Sequence, residues 1–314
     1  MKTLHISSLL LLSIMLCACT ANAPDAEEAA SLLTQAPSPE AAHIAEPTGS
    51  PASDAPPAAA PASAAVDAAS APAAPTVAST PAEALAAQAA PTLPQPNASL
   101  PPSHEAWDAL LQRYVNATGK VNYRGLHAEG PRLQAYLDAL AAQAPDQSWP
   151  RDEKLAYWIN AYNAFTVKLI LDHYPLASIL DLHGGKTWDV RWIELGGQTY
   201  SLNQIEHEII RPQFREPRIH FAVNCAAVSC PPLLNRAWTA ARLEADLERQ
   251  TEKFINNPAY NQLSAAAVRV SKIFEWYAED FGGLIAYLNR YTTEPIDAGA
   301  EISFLEYDWR LNGQ

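Results

Sequence analysis

Cys225 and Cys230 stand five residues apart in the segment Pro217-Arg-Ile-His-Phe-Ala-Val-Asn-Cys-Ala-Ala-Val-Ser-Cys-Pro-Pro232. Three chemistries are open to such a pair. In an oxidising compartment the two thiols can join as a disulfide, provided the backbone brings their Cα atoms within about 7 Å. Alternatively Cys225 is a nucleophile. A free thiol of pKa about 8.5 is mostly protonated at neutral pH, so that role needs His207 or His220, or a helix N-terminus, to draw off the proton. Asn160, Asn163 or Asp308 would then orient the imidazole, as the third member of a thiol triad does. The third reading is zinc on Cys225, Cys230 and one or both histidines; the spacing is wide for it, and no metal is expected.

Other polar residues lie in apolar surroundings. Tyr157-Trp-Ile-Asn-Ala-Tyr-Asn-Ala164 puts Asn160 and Asn163 on neighbouring positions of one helix face. A buried amide left unpaired costs about 1–3 kcal/mol, so both must bond backbone or serve a site. Asn224, Arg218, Glu206 and Trp158 adjoin these residues in sequence and are the candidate substrate contacts. Glu206 and Glu208 flank His207 and could tune it, although carboxylates on an amphipathic helix are commonly solvated. Glu275, Glu279 and Asp280 could line a cleft, yet read equally as a charged helix end. His104, His127, His173 and His183 show no partner pattern, and Gly184-Gly185 lacks the rest of a phosphate-cradling loop.

The elements that must carry these residues can be read from periodicity. Ser103 can cap a helix from about His104 to Val115 bearing Trp107, Leu110, Leu111 and Tyr114. Pro131 opens a second helix that buries Leu133, Tyr136, Leu137 and Leu140. The third, about Asp152 to His173, is apolar over so many directions that it is expected to be the buried central helix. Val190 to Leu195 and Gln198 to Leu202 flank Gly196-Gly197, a two-residue hairpin turn. Asn203 and Glu206 read as a capping box for a short helix that Pro212 ends near Arg211. Arg218 to Asn224 alternates Ile219, Phe221 and Val223 with His220, Ala222 and Asn224, the pattern of a strand. Thr239 caps a helix to about Asn256, Val268 to Ser271 form a strand, Phe274 to Asp280 and Leu284 to Tyr291 form helices, and Ile302 to Trp309 form a last strand. The expected class is α+β: a single mainly helical domain with a small antiparallel sheet.

That domain does not fill the chain. Of 314 residues and 26 prolines, 16 prolines fall between residues 20 and 104, with eight acidic residues and no Lys or Arg. Such a stretch has nothing to bury and reads as an extended tether. Before it, Lys2 and the apolar run Leu9 to Ala18 form a secretory signal, too short to span a bilayer. Its end, Leu16-Cys17-Ala18-Cys19, resembles the bacterial lipobox. The expected organisation is therefore a lipoprotein signal peptide at 1–18, a lipidated Cys19 with a disordered Ala/Pro-rich tether over 19–104, and a globular domain over 105–314. Thr20, not Asp, at the sorting position favours the periplasmic face of the outer membrane. A net charge of −13 and a pI near 5.0, with no basic cluster, exclude the electrostatic footprint of a nucleic-acid binder.

Several stretches together resemble the domain-of-unknown-function 547 family: Tyr157 to Ala164, His173-Tyr-Pro with Ser178-Ile179, Ser201-Leu-Asn-Gln-Ile-Glu-His207, Pro217 to Cys225, Ser229-Cys-Pro-Pro232, and Ser271-Lys-Ile-Phe-Glu-Trp276 with Asp280-Phe281. The resemblance covers most of residues 105 to 310. It implies a domain and a set of motif positions but no reaction, and its Asn, His and Cys suggest by analogy a distant kinship with thiol peptidase and transglutaminase-like folds. The leading expectation is a lipid-anchored periplasmic enzyme of thiol-dependent acyl transfer or amide hydrolysis on an envelope peptide or amide, needing no cofactor. The alternative is a non-catalytic envelope binding or scaffold module with Cys225 and Cys230 disulfide-bonded.

Overall fold

The computed structural model describes residues 100–313. The segments expected as signal peptide and tether, Cys19 included, lie outside the described residues except for the last few positions before α1. Four helices come first: α1 (Glu105–Tyr114), α2 (Tyr123–His127), α3 (Gly130–Ala142) and α4 (Arg151–Asp172). Ser103 Oγ accepts from the Glu105 amide at 3.3 Å, and Pro131 sits in the first turn of α3, where its missing N–H costs nothing. The residues buried by α1 and α3 are those their periodicity marks, Trp107, Leu110 and Leu111, then Leu133, Tyr136, Leu137 and Leu140. From Leu155 to Val167 every residue of α4 is buried, so this helix is surrounded by the rest of the fold.

His104, just ahead of α1, is a buried histidine whose Nδ1 meets the Tyr136 hydroxyl at 2.8 Å and whose Nε2 has no partner. Burial lowers its pKa to about 4 from an ordinary 6.5. The unfolded chain therefore takes up this proton first. The resulting stability is present above pH 6.5 and is lost as pH falls toward 4, by about 3 kcal/mol in all. Urea unfolding at pH 7, 5.5 and 4 should show that loss, and His104→Gln should flatten it; an unchanged slope in the variant would assign the acid sensitivity elsewhere.

A hairpin follows, β1 (Ile193–Leu195) and β2 (Gln198–Tyr200), with Ile193 opposite Tyr200 and Leu195 opposite Gln198. Gly196 and Gly197 take φ of 58° and 75°, the left-handed values such a turn demands. A Cβ on Gly196 would also lie 2.7 Å from the Ala144 side chain.

The next stretch departs from the expected short helix. Gln204–Ile210 forms a π-helical turn that runs on into α5 (Arg211–Phe214), with Pro212 inside the helix instead of ending it. Asn203 makes no side-chain cap; its Nδ2 donates to Asp189 Oδ1 at 2.6 Å. The wide turn buries Ile205, Glu206, Ile209 and Ile210 together.

The segment expected as a strand, 218–224, is not one. Pro217–Phe221 is a 3-10 helix, capped by the Glu216 side chain accepting from the Arg218 amide. Ile219 through Asn224 are all buried, so no solvent face exists for an alternating strand to present. Beyond it lie α6 (Leu243–Ile255), β3 (Gln262–Leu263), β4 (Ala267–Val270), α7 (Ile273–Trp276), α8 (Ala278–Phe281), α9 (Leu284–Leu288) and β5 (Glu301–Phe304). Thr239 makes no side-chain cap; a 3-10 turn, Ala240–Arg242, precedes α6 instead. The helix expected over Phe274 to Asp280 is broken between α7 and α8. The strand expected to Trp309 stops at Phe304, and β5 pairs parallel to β4 while β3 pairs antiparallel to it. The class is α+β, as the pattern implies.

After β5 the chain threads back as an extended strap over the cysteine loop. Val228 N donates to Arg310 O at 2.8 Å, Ser229 N to Asp308 O at 3.2 Å, and Asn312 N to Ala226 O at 2.9 Å. Two hydrophobic clusters result: one surrounds α4, and the other gathers Phe221, Phe254, Val268, Phe274 and Phe281. Phe221 and Val223 fall in different clusters, which places the approach to Cys225 at their seam.

Candidate active site

At that seam one narrow pocket is lined by Glu206, His220, Cys225 and Cys230 among aromatic side chains, with free space of about 30 Å³. The loop that delivers Cys225 is held by amides. Asn163 of α4 donates through Nδ2 to Ala222 O at 2.9 Å and accepts from Asn224 N at 2.8 Å. Asn224 in turn accepts through Oδ1 from the Ala226 amide and from Asn312 Nδ2, and donates to Pro231 O at 2.8 Å. Both ends of the loop are thus tied to one side chain. Ala226 is buried at φ 62°, a left-handed conformation that costs a non-glycine residue energy and persists where its surroundings hold it.

Both cysteines are free thiols. Cys230 is buried, and its Sγ accepts from the Cys225 amide at 2.8 Å. Cys225 is half-buried, with Sγ 3.2 Å from the Tyr307 hydroxyl. Burial opposes ionisation of Cys225, but Cys230, Tyr307 and the Ala227 amide all bond its sulfur, and the balance lowers its pKa. Burial, with Cys225 as neighbour, pushes Cys230 well up. Of the two, Cys225 is the sulfur that ionises.

His220 is 2% exposed and Nε2 meets Asp280 Oδ2 at 2.7 Å, while Nδ1 is buried without a partner. Its ring stacks on Tyr277 with centroids 3.9 Å apart. Burial lowers the His220 pKa in spite of the Asp280 bond, so the ring is neutral near pH 7. Asp280 also receives two bonds from Arg211, 2.6 Å from Nε and 3.0 Å from Nη2. Against the cost of burial, these partners hold its carboxyl well below the usual range. Cys225 and His220 share the pocket without bonding each other directly.

The remaining candidates divide. His207 meets Arg211 Nη1 through Nδ1 at 2.8 Å and does not line the pocket. Asn160 is paired with Trp238, donating to its carbonyl at 2.8 Å and accepting from its amide at 3.0 Å, which ties α4 to the approach of α6. Arg218 is held by Glu216, Glu244 and Glu248 on the outside of α6. Trp158 packs edge-on against Tyr157 and Tyr200. Asp308 pairs with Arg310, not with an imidazole. Neither Asn160 nor Asn163 reaches a histidine. The orienting acid is Asp280, sixty residues beyond His220, and Tyr307 is a thiol partner that no local pattern marks. Among the described residues no three His, Cys, Asp or Glu groups converge so as to hold a metal ion.

A family model described as "Protein of unknown function, DUF547" matches residues 147–255. Over that stretch the chain matches the DUF547 domain. No curated protein matches it, and no solved structure does. The matched DUF547 stretch holds Asn163, Glu206, His220, Cys225 and Cys230, whereas Asp280, Tyr307 and Trp309 lie C-terminal to it. The pocket is therefore completed by residues outside the DUF547 match.

Proposed function

We propose that this protein is a thiol-dependent acyltransferase or amide hydrolase of the cell envelope, tethered by lipid on Cys19 to the periplasmic face of the outer membrane. The observation that carries the catalytic part is the sharing of one pocket by an acidified Cys225 and a neutral His220 whose far nitrogen is held by Asp280. With Nε2 engaged, Nδ1 is the nitrogen free to take a proton from the pocket. In the step this arrangement supports, the Cys225 S–H proton passes to His220 and the sulfur bonds the carbonyl carbon of an amide. The C–N bond then breaks as His220 returns the proton to the leaving nitrogen. Water or an amine attacks the thioester, His220 accepting its proton, and Cys225 leaves as thiol.

The contact between the two thiols favours a second reading, in which oxidation joins them and the domain acts as a non-catalytic binding module. One experiment separates them. The unreduced, full-length lipoprotein is treated with iodoacetamide and, separately, with 4-nitrophenyl acetate, and the adducts are located by mass. A single adduct on Cys225 in each case, absent from Cys225→Ser, is the expected result; a pair of thiols blocked as a disulfide would leave the binding module. In the same preparations Cys19→Ala should move the protein from the membrane to the soluble fraction, and retention in the membrane would overturn the anchor.

A further inference from the structure

The same pocket contains an acidic side chain for which the thiol chemistry has no use. Glu206, placed by the π-helical turn, is 3% exposed and lines the pocket; the Tyr277 hydroxyl bonds its carboxyl, but Oε1 is buried with no hydrogen-bond partner. Arg211, the nearby cation, is engaged with Asp280 and His207. A buried carboxylate oxygen without a donor is costly, and a cation that reaches it removes that cost. The walls around it are the faces and edges of Tyr162, Trp188, Trp276, Tyr277, Tyr307 and Trp309. Trp276, Tyr307 and Trp309 lie together at the half-buried rim, with ring centroids 4.6 to 5.9 Å apart. Aromatic faces attract cations, most strongly where water is excluded.

We propose that Glu206 and this aromatic wall form a subsite for a primary ammonium group, so that the substrates of the thiol site are amides or peptides bearing a free amine close to the reacting carbonyl. Size selects among cations. On the measure by which a water needs about 10–15 Å³, the free space of about 30 Å³ admits an ammonium and a methylene or two. Ammonium also supplies the three N–H donors that the unpaired Oε1 lacks, which a quaternary head cannot.

This reading of the substrate rests on the proposed thiol chemistry, but its test does not. Three of the wall residues are tryptophans, so binding of n-butylammonium can be followed by intrinsic fluorescence in the whole protein, with n-pentanol as a neutral probe of similar length and tetramethylammonium as a bulky cation. The expected result is saturable binding of butylammonium by the wild type and by Cys225→Ser, with pentanol and tetramethylammonium at least about tenfold weaker, the scale of one charge-assisted contact. Glu206→Gln should lose the preference for butylammonium over pentanol while its melting profile confirms the fold. Equal binding of butylammonium and pentanol by the wild type overturns the subsite without recourse to any variant, as does an unchanged preference in folded Glu206→Gln. Retained ammonium selectivity in Cys225→Ser alongside an unreactive wild-type thiol would uphold the subsite and remove the catalytic reading.

Discussion

Replacing Asn163 by alanine is expected to destabilise the domain by about 3 kcal/mol and to slow alkylation of Cys225 in the molecules that remain folded. The stability term follows from geometry. The side chain is 2% exposed and satisfies one carbonyl and one amide of the backbone, Ala222 O and Asn224 N. Removing it leaves both buried groups without a partner, at about 1–3 kcal/mol each, and opens a small void in a helix that is packed on all sides. The effect on the thiol follows from position, because the amide that is released belongs to the residue before Cys225. Asn160→Ala is the control. That side chain is equally buried and makes an equivalent pair of bonds, but to Trp238. It should cost a similar amount in urea unfolding and leave the alkylation rate per folded molecule unchanged. Equal loss of thiol reactivity in both variants would mean that Asn163 acts only through global stability.

The second large effect is expected from Asp280→Asn. Asparagine keeps one acceptor oxygen and puts an N–H donor in place of the other, so Arg211 and His220 can no longer both be fully satisfied and the imidazole loses the negative charge that stabilises its protonated form. On the proposed mechanism the acylation rate with 4-nitrophenyl acetate should fall by about 10²–10⁴-fold, the range that positioned acid–base catalysis contributes. Simple alkylation of Cys225 by iodoacetamide should change far less, because its sulfur is stabilised by Tyr307, Cys230 and Ala227 rather than by the imidazole. A parallel drop in both rates would place Asp280 in a purely structural role. The acid limb carries a second signature. Asp280 is held below its usual pKa in the fold. The unfolded chain therefore takes up that proton first as pH falls below about 4, and stability is lost there. The variant, with nothing to titrate at this position, should lack that component.

How much of this is legible in the sequence depends on how local the signal is. Helices α1, α3 and α4 each carry their own period, and the β1–β2 turn carries two glycines that only one geometry explains. Residues 219–224 mislead because they are buried on every side. An alternation of large apolar with smaller or polar residues then reports side-chain size, not exposure, and it resembles a strand. The corrective signal was present in Glu216-Pro217, a capping side chain followed by a residue suited to the first turn of a helix. Cys225 and His220 could be nominated by type and neighbourhood. Asp280 and Tyr307 could not be given their roles, since the bonds they make span 60 and 82 residues and only the fold brings them across. Asn160 and Asn163 illustrate the intermediate case: both need partners once buried, and only the fold decides which backbone supplies them.

The strap over the cysteine loop sets an order of events. A chain folded as far as α9 already possesses Cys225 and its imidazole, yet the phenol that tempers its sulfur and the indole that walls its mouth have not arrived. In such an intermediate the thiol lacks the Tyr307 hydroxyl contact that helps lower its pKa. On the proposed chemistry, docking of the last segment therefore completes the fold and the surroundings of the thiol together.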